Sequence, residues 1–417
     1  MTINEEIIEI GKKAKIASSK LSNINSKTKQ IALKSAAKKI KENIKEIIKI
    51  NLIDIQNAEK NNLNSAIIDR LKLSDDRILG ITNSLNEIAD LPEPVGNIID
   101  EWQRPNGLKI QKVSVPIGVI GIIYESRPNV TADASAIGIK SGNAIILRGG
   151  KDAYNTSYKI YEIINEAFIN NNLPENCIQM IPSIERSAVD AMLNLREYID
   201  IIVPRGGKDL IQKINSISKI PIIKHLEGIC HLYVDGDANI ETAKKVILNS
   251  KMRRPGICGA VETLLFDKRL SNYFPDLLLD LKNAKCEIRG DESICLIDSK
   301  FKKATEEDWD LEYLDKIISV KVVSGVSEAI RHINKHSSNH TESIITENQN
   351  TSEKFFQEID SAIILQTAST QFADGGEFGF GAEMGISTDK LHVRGPVGAQ
   401  HLVSFEYIVR GNGQVRP

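Results

Sequence analysis

Between residues 119 and 223 the chain alternates short, unbroken apolar runs with stretches of helical periodicity, and this rhythm restricts the fold more than any other feature. The runs at 119–123, 144–147, 178–181, 199–203 and 221–223 have the texture of strands buried on both faces. Helical patterns at 133–140, 153–170, 186–194 and 209–216 separate them. Strand, helix, strand in this order predicts a doubly wound parallel sheet, in which ligands bind beyond the carboxyl ends of the strands. A second alternating unit follows a helix at 243–249. It contains apolar runs at 262–266, 321–323, 343–346 and 361–365 and a helix at 327–334.

The flanking regions read differently. Residues 4–61 place Ile7, Ile8, Ile10, Ile16, Ala36, Ile40, Ile44, Ile47 and Ile48 at three- and four-residue steps, the spacing of amphipathic helices, and Pro92, Pro94 and Gly96 close that region. Residues 98–115 alternate apolar and polar positions around Pro105-Asn106-Gly107, which predicts a hairpin that protrudes or pairs with another chain. Residues 401–409 alternate again and read as an edge strand added to a neighbouring subunit. A chain of 417 residues exceeds what one core covers, so the expected organisation is two α/β domains plus a strand-built oligomerisation element.

Charge and cysteine usage remove several classes of function. A net charge of −2 argues against nucleic acid or an anionic membrane as a partner, and neither a secretory signal nor a spanning segment is expected. Cys177, Cys230, Cys258, Cys286 and Cys295 are odd in number and scattered, which fits free thiols in a reducing cytoplasm. His332, His336 and His340 recur at helical spacing, but no Cys, Asp or Glu nearby completes a ligand set, so no metal is expected.

Three places could carry chemistry. Leu147-Arg148-Gly149-Gly150-Lys151 and Val203-Pro204-Arg205-Gly206-Gly207-Lys208 each leave a buried strand and enter a helix. Glycines permit close backbone approach, the helix start offers unpaired N–H groups, and the cations suit a phosphorylated ligand; the alternative is a tight turn with solvated basic residues. Cys258 stands between glycines, downstream of Arg253 and Arg254, a setting that can activate a thiol, although most cysteines are small buried hydrophobes. Asn129, after Arg127-Pro128, could donate to an oxyanion or simply shape a turn.

In their order and spacing these sites resemble the aldehyde dehydrogenases, and more closely the gamma-glutamyl phosphate reductases within them. The resemblance rests on 116–131, 142–150, 323–344 with its three histidines, Asp374-Gly375-Gly376-Glu377-Phe378-Gly379 and Leu391-His392-Val393-Arg394-Gly395-Pro396. It implies an aldehyde-dehydrogenase-like α/β fold. A dinucleotide-binding domain would span 1–96 and 116–251, oligomerisation strands 97–115 and 398–417, and a catalytic domain 252–397. It implies Cys258 as nucleophile and Asn129 in the oxyanion hole. NADP would be held by Arg148, Gly149, Gly150, Lys151, Arg205, Gly206, Gly207 and Glu312, with Arg148 and Lys151 favouring the 2′-phosphate. Arg127, Arg254 and Arg394 are candidates for the substrate carboxylate or phosphate. The implied reaction is NADPH-dependent reduction of L-glutamyl 5-phosphate to the semialdehyde in proline biosynthesis. A homo-oligomer and a functional link to glutamate 5-kinase are implied with it.

One departure is informative. Hydrolytic aldehyde dehydrogenases carry a general-base Glu-Leu-Gly-Gly segment upstream of the nucleophile, whereas this chain reads Lys224-His225-Leu226-Glu227-Gly228-Ile229-Cys230, with Glu227 displaced. This disfavours a hydrolytic oxidation. The run around His332 to Glu342 disfavours a different acyl phosphate such as aspartyl phosphate, and an intact Cys258 and Asn129 disfavour a non-catalytic scaffold for a kinase.

Overall fold

The apolar steps of the amino-terminal region become helices α1 (Ile3–Leu21), α2 (Ser26–Glu42), α3 (Ile44–Lys60), α4 (Ser65–Leu71) and α5 (Asp75–Asp90) in a computed structural model that describes residues 2–416. Four of these starts are set by side chains that satisfy otherwise orphaned N–H groups: Thr2 in a capping box with Glu5, then Asn25, Asn64 and Ser74. Among the described residues no helix is long and apolar enough to cross a membrane.

The chain divides into two compact units, with crossings after residues 224, 378, 385 and 396. In the first unit β1 (Ile98–Gln103) and β2 (Lys109–Pro116) form the expected hairpin, with Gly107 at φ +87° in its turn. Strands β3 (Val119–Tyr124), β4 (Ala144–Gly149), β5 (Ile178–Met180) and β6 (Ile201–Arg205) form a sheet in the order β5-β4-β3-β6, parallel throughout. Helices α6 (Asn129–Lys140), α7 (Tyr154–Asn170), α8 (Arg186–Leu193) and α9 (Lys208–Ile217) follow the strands in turn. Every residue of β3 and β4 is buried, which is why these runs contain no polar alternation.

One expectation for this unit needs correction. Residues 221–223 do not form a strand: Ile222 makes a single bridge to Ile202. The terminal strand, Val403–Arg410 (here β16), pairs antiparallel with β2 over its whole length and forms one edge of the sheet β1-β2-β16.

The second unit is built on a seven-stranded sheet. In chain order its elements are β7 (Cys230–Val234), α10 (Ile240–Met252), β8 (Val261–Asp267), α11 (Phe274–Asn283), β9 (Glu287–Gly290), α12 (Glu292–Cys295), β10 (Lys302–Lys303), β11 (Ile317–Val323), α13 (Val326–His336), β12 (Thr341–Ile345), α14 (Gln349–Glu358) and β13 (Ile363–Gln366). The spatial order is β10-β9-β11-β8-β7-β12-β13, again parallel throughout. Alternate residues feed opposite cores: Leu232, Leu264 and Phe266 pack with Ile247 and Leu277, while Tyr233 and Leu265 pack with Ile330, Ile333 and Phe355. Two short antiparallel strands, β14 (Ile386–Ser387) and β15 (Gly395–Pro396), complete the unit.

The expected boundary after residue 251 therefore lies too late, and 379–385 returns to the first unit instead of belonging with 252–397. Strand β7 and helix α10 belong to the second unit because β7 is hydrogen-bonded between β8 and β12.

Asn143 ties the first unit's carboxyl-terminal segment to its sheet. Its Oδ1 accepts from the Gly118 N–H at 2.8 Å, and its Nδ2 donates to the Leu402 carbonyl at 2.7 Å. The side chain is fully buried, so Asn143→Ala strands a donor and an acceptor without water. We expect a loss of about 2–4 kcal/mol, seen as a lower urea midpoint in circular dichroism; an unchanged midpoint would show that the link is dispensable.

Candidate active site

The loop from α10 to β8 carries Cys258, and several contacts fix its path. A buried ion pair from Lys251 of α10 to Glu262 of β8 clasps its two ends. The Gln371 amide donates to the carbonyls of Ser250 at 3.0 Å and Arg254 at 3.3 Å. The Ala260 N–H donates to the Ile257 carbonyl at 3.0 Å, closing a turn around the thiol. Gly228, two residues before β7, runs against this turn so closely that a Cβ there would sit 2.1 Å from the Cys258 carbonyl oxygen. Only glycine fits.

Two imidazoles flank the half-buried thiol: ligating atoms of His225, Cys258 and His340 all lie within 4.8 Å of one another. The two rings meet edge to face at 5.3 Å. His225 Nδ1 lies 2.9 Å from the Ile386 carbonyl oxygen. A carbonyl can only accept, so Nδ1 carries a proton. His340 is fully buried, with Nδ1 2.8 Å from the Thr341 hydroxyl.

Burial by itself would push the Cys258 thiol up. The neighbouring imidazoles, His340 first and then His225, outweigh it and hold the thiol well below its ordinary range. Cys230 is the contrast. Burial and the surrounding carboxylates push its thiol far up, and it donates to the Cys258 carbonyl at 3.1 Å. One of these two thiols is built to ionise and the other to stay protonated.

Glu312 joins the same cluster, accepting from the Gly228 N–H at 2.9 Å. Burial raises its carboxyl above the usual range; the Gly228 bond opposes this, and negative charge at Cys258 reinforces it. Cys258, His225, Glu312 and His340 all precede their nearest strands, so the cluster gathers at the amino edge of the sheet, not at the carboxyl edge that the sequence rhythm favours.

The three histidines of the 323–344 run separate in the structure. His332 and His336 lie on α13, where burial and His231 push His332 down to about 2 and Asp310 holds His336 at 2.7 Å. His340 lies beyond that helix and turns to Cys258. Sequence reasoning missed His225 and His340 as partners of the thiol. The one available signal was the departure at 224–230, where His225 occurs in place of the hydrolytic segment.

The first unit's candidates do lie at the carboxyl ends of strands. Asn129 opens α6 after β3, and its amide donates to Asp133 at 3.1 Å. Arg127, two residues earlier, is half-buried. Arg148, in β4, is nearly buried and its guanidinium donates to the carbonyls of Ile184 at 3.0 Å and Glu185 at 3.2 Å. Gly149 ends β4, Gly150 packs its backbone against Glu125, and Lys151 is exposed. After β6, the Gly207 N–H at the start of α9 donates to the Glu125 carboxylate at 2.9 Å. A Cβ on Gly206 would collide with the same carboxylate at 2.6 Å, and Arg205 lies 4.0 Å from Glu383. In the second unit Arg254 is exposed, whereas the Arg394 guanidinium is engaged by Asp360 and by the Thr388 carbonyl.

The model of the aldehyde dehydrogenase family matches residues 2–284. Gamma-glutamyl phosphate reductase of Brucella suis biovar 1 is 52% identical over 416 residues, 99% of either chain. That of Parvibaculum lavamentivorans is 52% identical over 411 residues, covering 98% of this chain and 97% of the relative. The crystal structure of gamma-glutamyl phosphate reductase from Thermotoga maritima superposes with a TM-score of 0.96 at 43% identity, covering 99% of this chain and 100% of that one. An acetylating aldehyde dehydrogenase from Geobacillus thermoglucosidasius, 18% identical with a TM-score of 0.73, shares the fold. The chain therefore belongs to the aldehyde dehydrogenase family, in its gamma-glutamyl phosphate reductase branch, and is an oxidoreductase.

Proposed function

We propose that the enzyme reduces L-glutamyl 5-phosphate to L-glutamate 5-semialdehyde and phosphate with NADPH, through a thioester on Cys258, as the second step of proline synthesis from glutamate. The observation that carries this reading is a thiol held between His225 and His340 in a chain 52% identical along its length to a named gamma-glutamyl phosphate reductase.

His225, with Nδ1 anchored on Ile386, takes the Cys258 proton at Nε2. The thiolate attacks the acyl carbon. As phosphate departs, the proton passes from His225 to the leaving oxygen, so neither charge nor protons are left unbalanced. The Asn129 amide has two N–H groups, of which one donates to Asp133. The other is proposed to hold the tetrahedral oxyanion, worth about 3 kcal/mol. Bound NADPH supplies the hydride that converts the thioester to the aldehyde. Cys258 leaves as a thiolate, stabilised by the flanking imidazoles. The carboxyl of Glu312 is assigned to the cofactor's ribose hydroxyls.

The first unit's loops fit a phosphorylated cofactor. The start of α9 already accommodates an anion, the Glu125 carboxylate on Gly207. Exposed Lys151 and half-buried Arg205 are the proposed cations for its phosphates, and Gly149, Gly150 and Gly206 allow close approach. Arg148 donates to two carbonyls, so Lys151 is assigned the larger share of any 2′-phosphate contact. An engineered glycolyl-CoA reductase of the same fold carries bound NADP+. Arg127 and Arg254 are proposed for the substrate's carboxylate and phosphate; the Asp360 ion pair argues against Arg394. Exposed Ile98, Ile99, Phe405 and Tyr407 on β1 and β16 support a homo-oligomer, and the lability of the acyl phosphate favours a functional link to glutamate 5-kinase. Five free cysteines fit the reducing cytoplasm as the place of action.

The reaction is best tested in reverse. Glutamate 5-semialdehyde with NADP should give NADPH only when phosphate is present, and Cys258→Ala should abolish it. Asn129→Ala should lower kcat by roughly 10²–10³-fold. NADPH formation without phosphate would replace this reading with a hydrolytic dehydrogenase. A second measurement follows alkylation of Cys258 by iodoacetamide against pH. The inflection should fall well below the ordinary thiol value of about 8.5, with Cys230 unlabelled. His340→Gln should move it upward, each pH unit costing about tenfold in thiolate at neutral pH. An inflection at or above the ordinary value in the unaltered protein would remove imidazole activation from the mechanism.

A further inference from the structure

We propose that the resting enzyme binds one thiophilic divalent cation of the zinc class through Cys258, His225 and His340, and that this binding reversibly masks the nucleophile. The donors are one sulfur and two imidazoles, the soft and borderline set that zinc favours, drawn together from three separate loops.

The geometry is close to what such a cation needs. Zinc-to-sulfur and zinc-to-nitrogen lengths set tetrahedral donors roughly 3.4–3.6 Å apart. The three donors here lie within 4.8 Å, so a contraction of about an ångström, within reach of side-chain torsions, completes the site.

The outer contacts point the same way. Metal-binding histidines usually donate their distal N–H to a carbonyl or another oxygen, which fixes the tautomer. His225 does this with Ile386, and His340 Nδ1 lies 2.8 Å from the Thr341 hydroxyl. His340 Nε2, in a fully buried ring, has no hydrogen-bond partner among the described residues. An orphaned buried nitrogen beside a thiol is a ligand position awaiting a donor or an ion. The carboxyl of Glu312, fixed on the Gly228 N–H, flanks the cluster.

Binding exchanges the thiol proton for the metal–sulfur bond, with no change of oxidation state. A sulfur lone pair committed to the cation cannot attack an acyl carbon, so the ion is an inhibitor and not a participant. Only this masking clause rests on the proposed role of Cys258.

Cobalt(II) is the probe, added without oxygen to full-length enzyme lacking substrate, nicotinamide and phosphate. We expect one ion per chain, a thiolate-to-cobalt charge-transfer band and intense tetrahedral d–d bands, all reversed by EDTA and displaced by Zn²⁺. Cys258→Ser should remove the charge-transfer band. His225→Gln and His340→Gln should weaken binding by about tenfold or more, as should Thr341→Val, which leaves all three ligands in place. Zn²⁺ should also protect Cys258 from iodoacetamide. No charge-transfer band in the unaltered enzyme, a band that survives Cys258→Ser, or affinity unchanged in both histidine variants would overturn the site. An active reductase without the band loses only the metal proposal, and an inactive protein with the band loses only the proposed reaction.

Discussion

Parallel pairing is the constraint on which both units depend. A sheet without hairpins must return each chain segment across a face before the next strand begins, so all carboxyl ends share one edge and all amino ends the other. The first unit carries its candidate residues on the departing side, in the loops after β3, β4 and β6. The second carries Cys258, His225, Glu312 and His340 on the arriving side, ahead of β8, β7, β11 and β12. That placement has a chemical cost. No helix starts at Cys258, so the stabilisation that a helix amino terminus gives a thiolate is absent, and the two imidazoles supply it instead.

Within that frame, the contact between Gly228 and Cys258 sets the fine position of the thiol. The missing side chain lets two backbone segments touch, and each then serves the other. The Gly228 N–H orients Glu312, and the neighbouring Cys230 thiol occupies the Cys258 carbonyl. The Lys251–Glu262 pair and Gln371 hold the far side of the same loop. The nucleophile is thus carried by an irregular segment that is pinned on two sides, which reconciles a loop location with fixed geometry.

Much of this was readable before any coordinates. The rhythm of the first unit was legible because β3 and β4 are buried at every position and no charged residue precedes Arg148 to break the run. Strand β7 escaped notice because it reads Cys-His-Leu-Tyr-Val, and a histidine argues against a core strand unless its partner is known. That partner is Glu342, which accepts from both the backbone and the ring of His231 and lies 111 residues away. The misplaced boundary at 251 follows from that one hidden strand. At the site, the resemblance singled out Cys258, but its imidazoles come from segments that no local spacing links. The four-residue spacing groups His340 with His332 and His336, yet α13 ends at His336.

The chain's four crossings between units also order its assembly in time. Most of the first unit precedes the second along the chain, yet the strand that completes its three-stranded sheet is β16, Val403–Arg410, which follows the last segment of the second. Every segment of the second unit has been made by residue 396. The unit begun first is therefore finished last. Until β16 is made, the nascent chain must hold an open sheet edge on β2 while its nucleophile-bearing half is already whole.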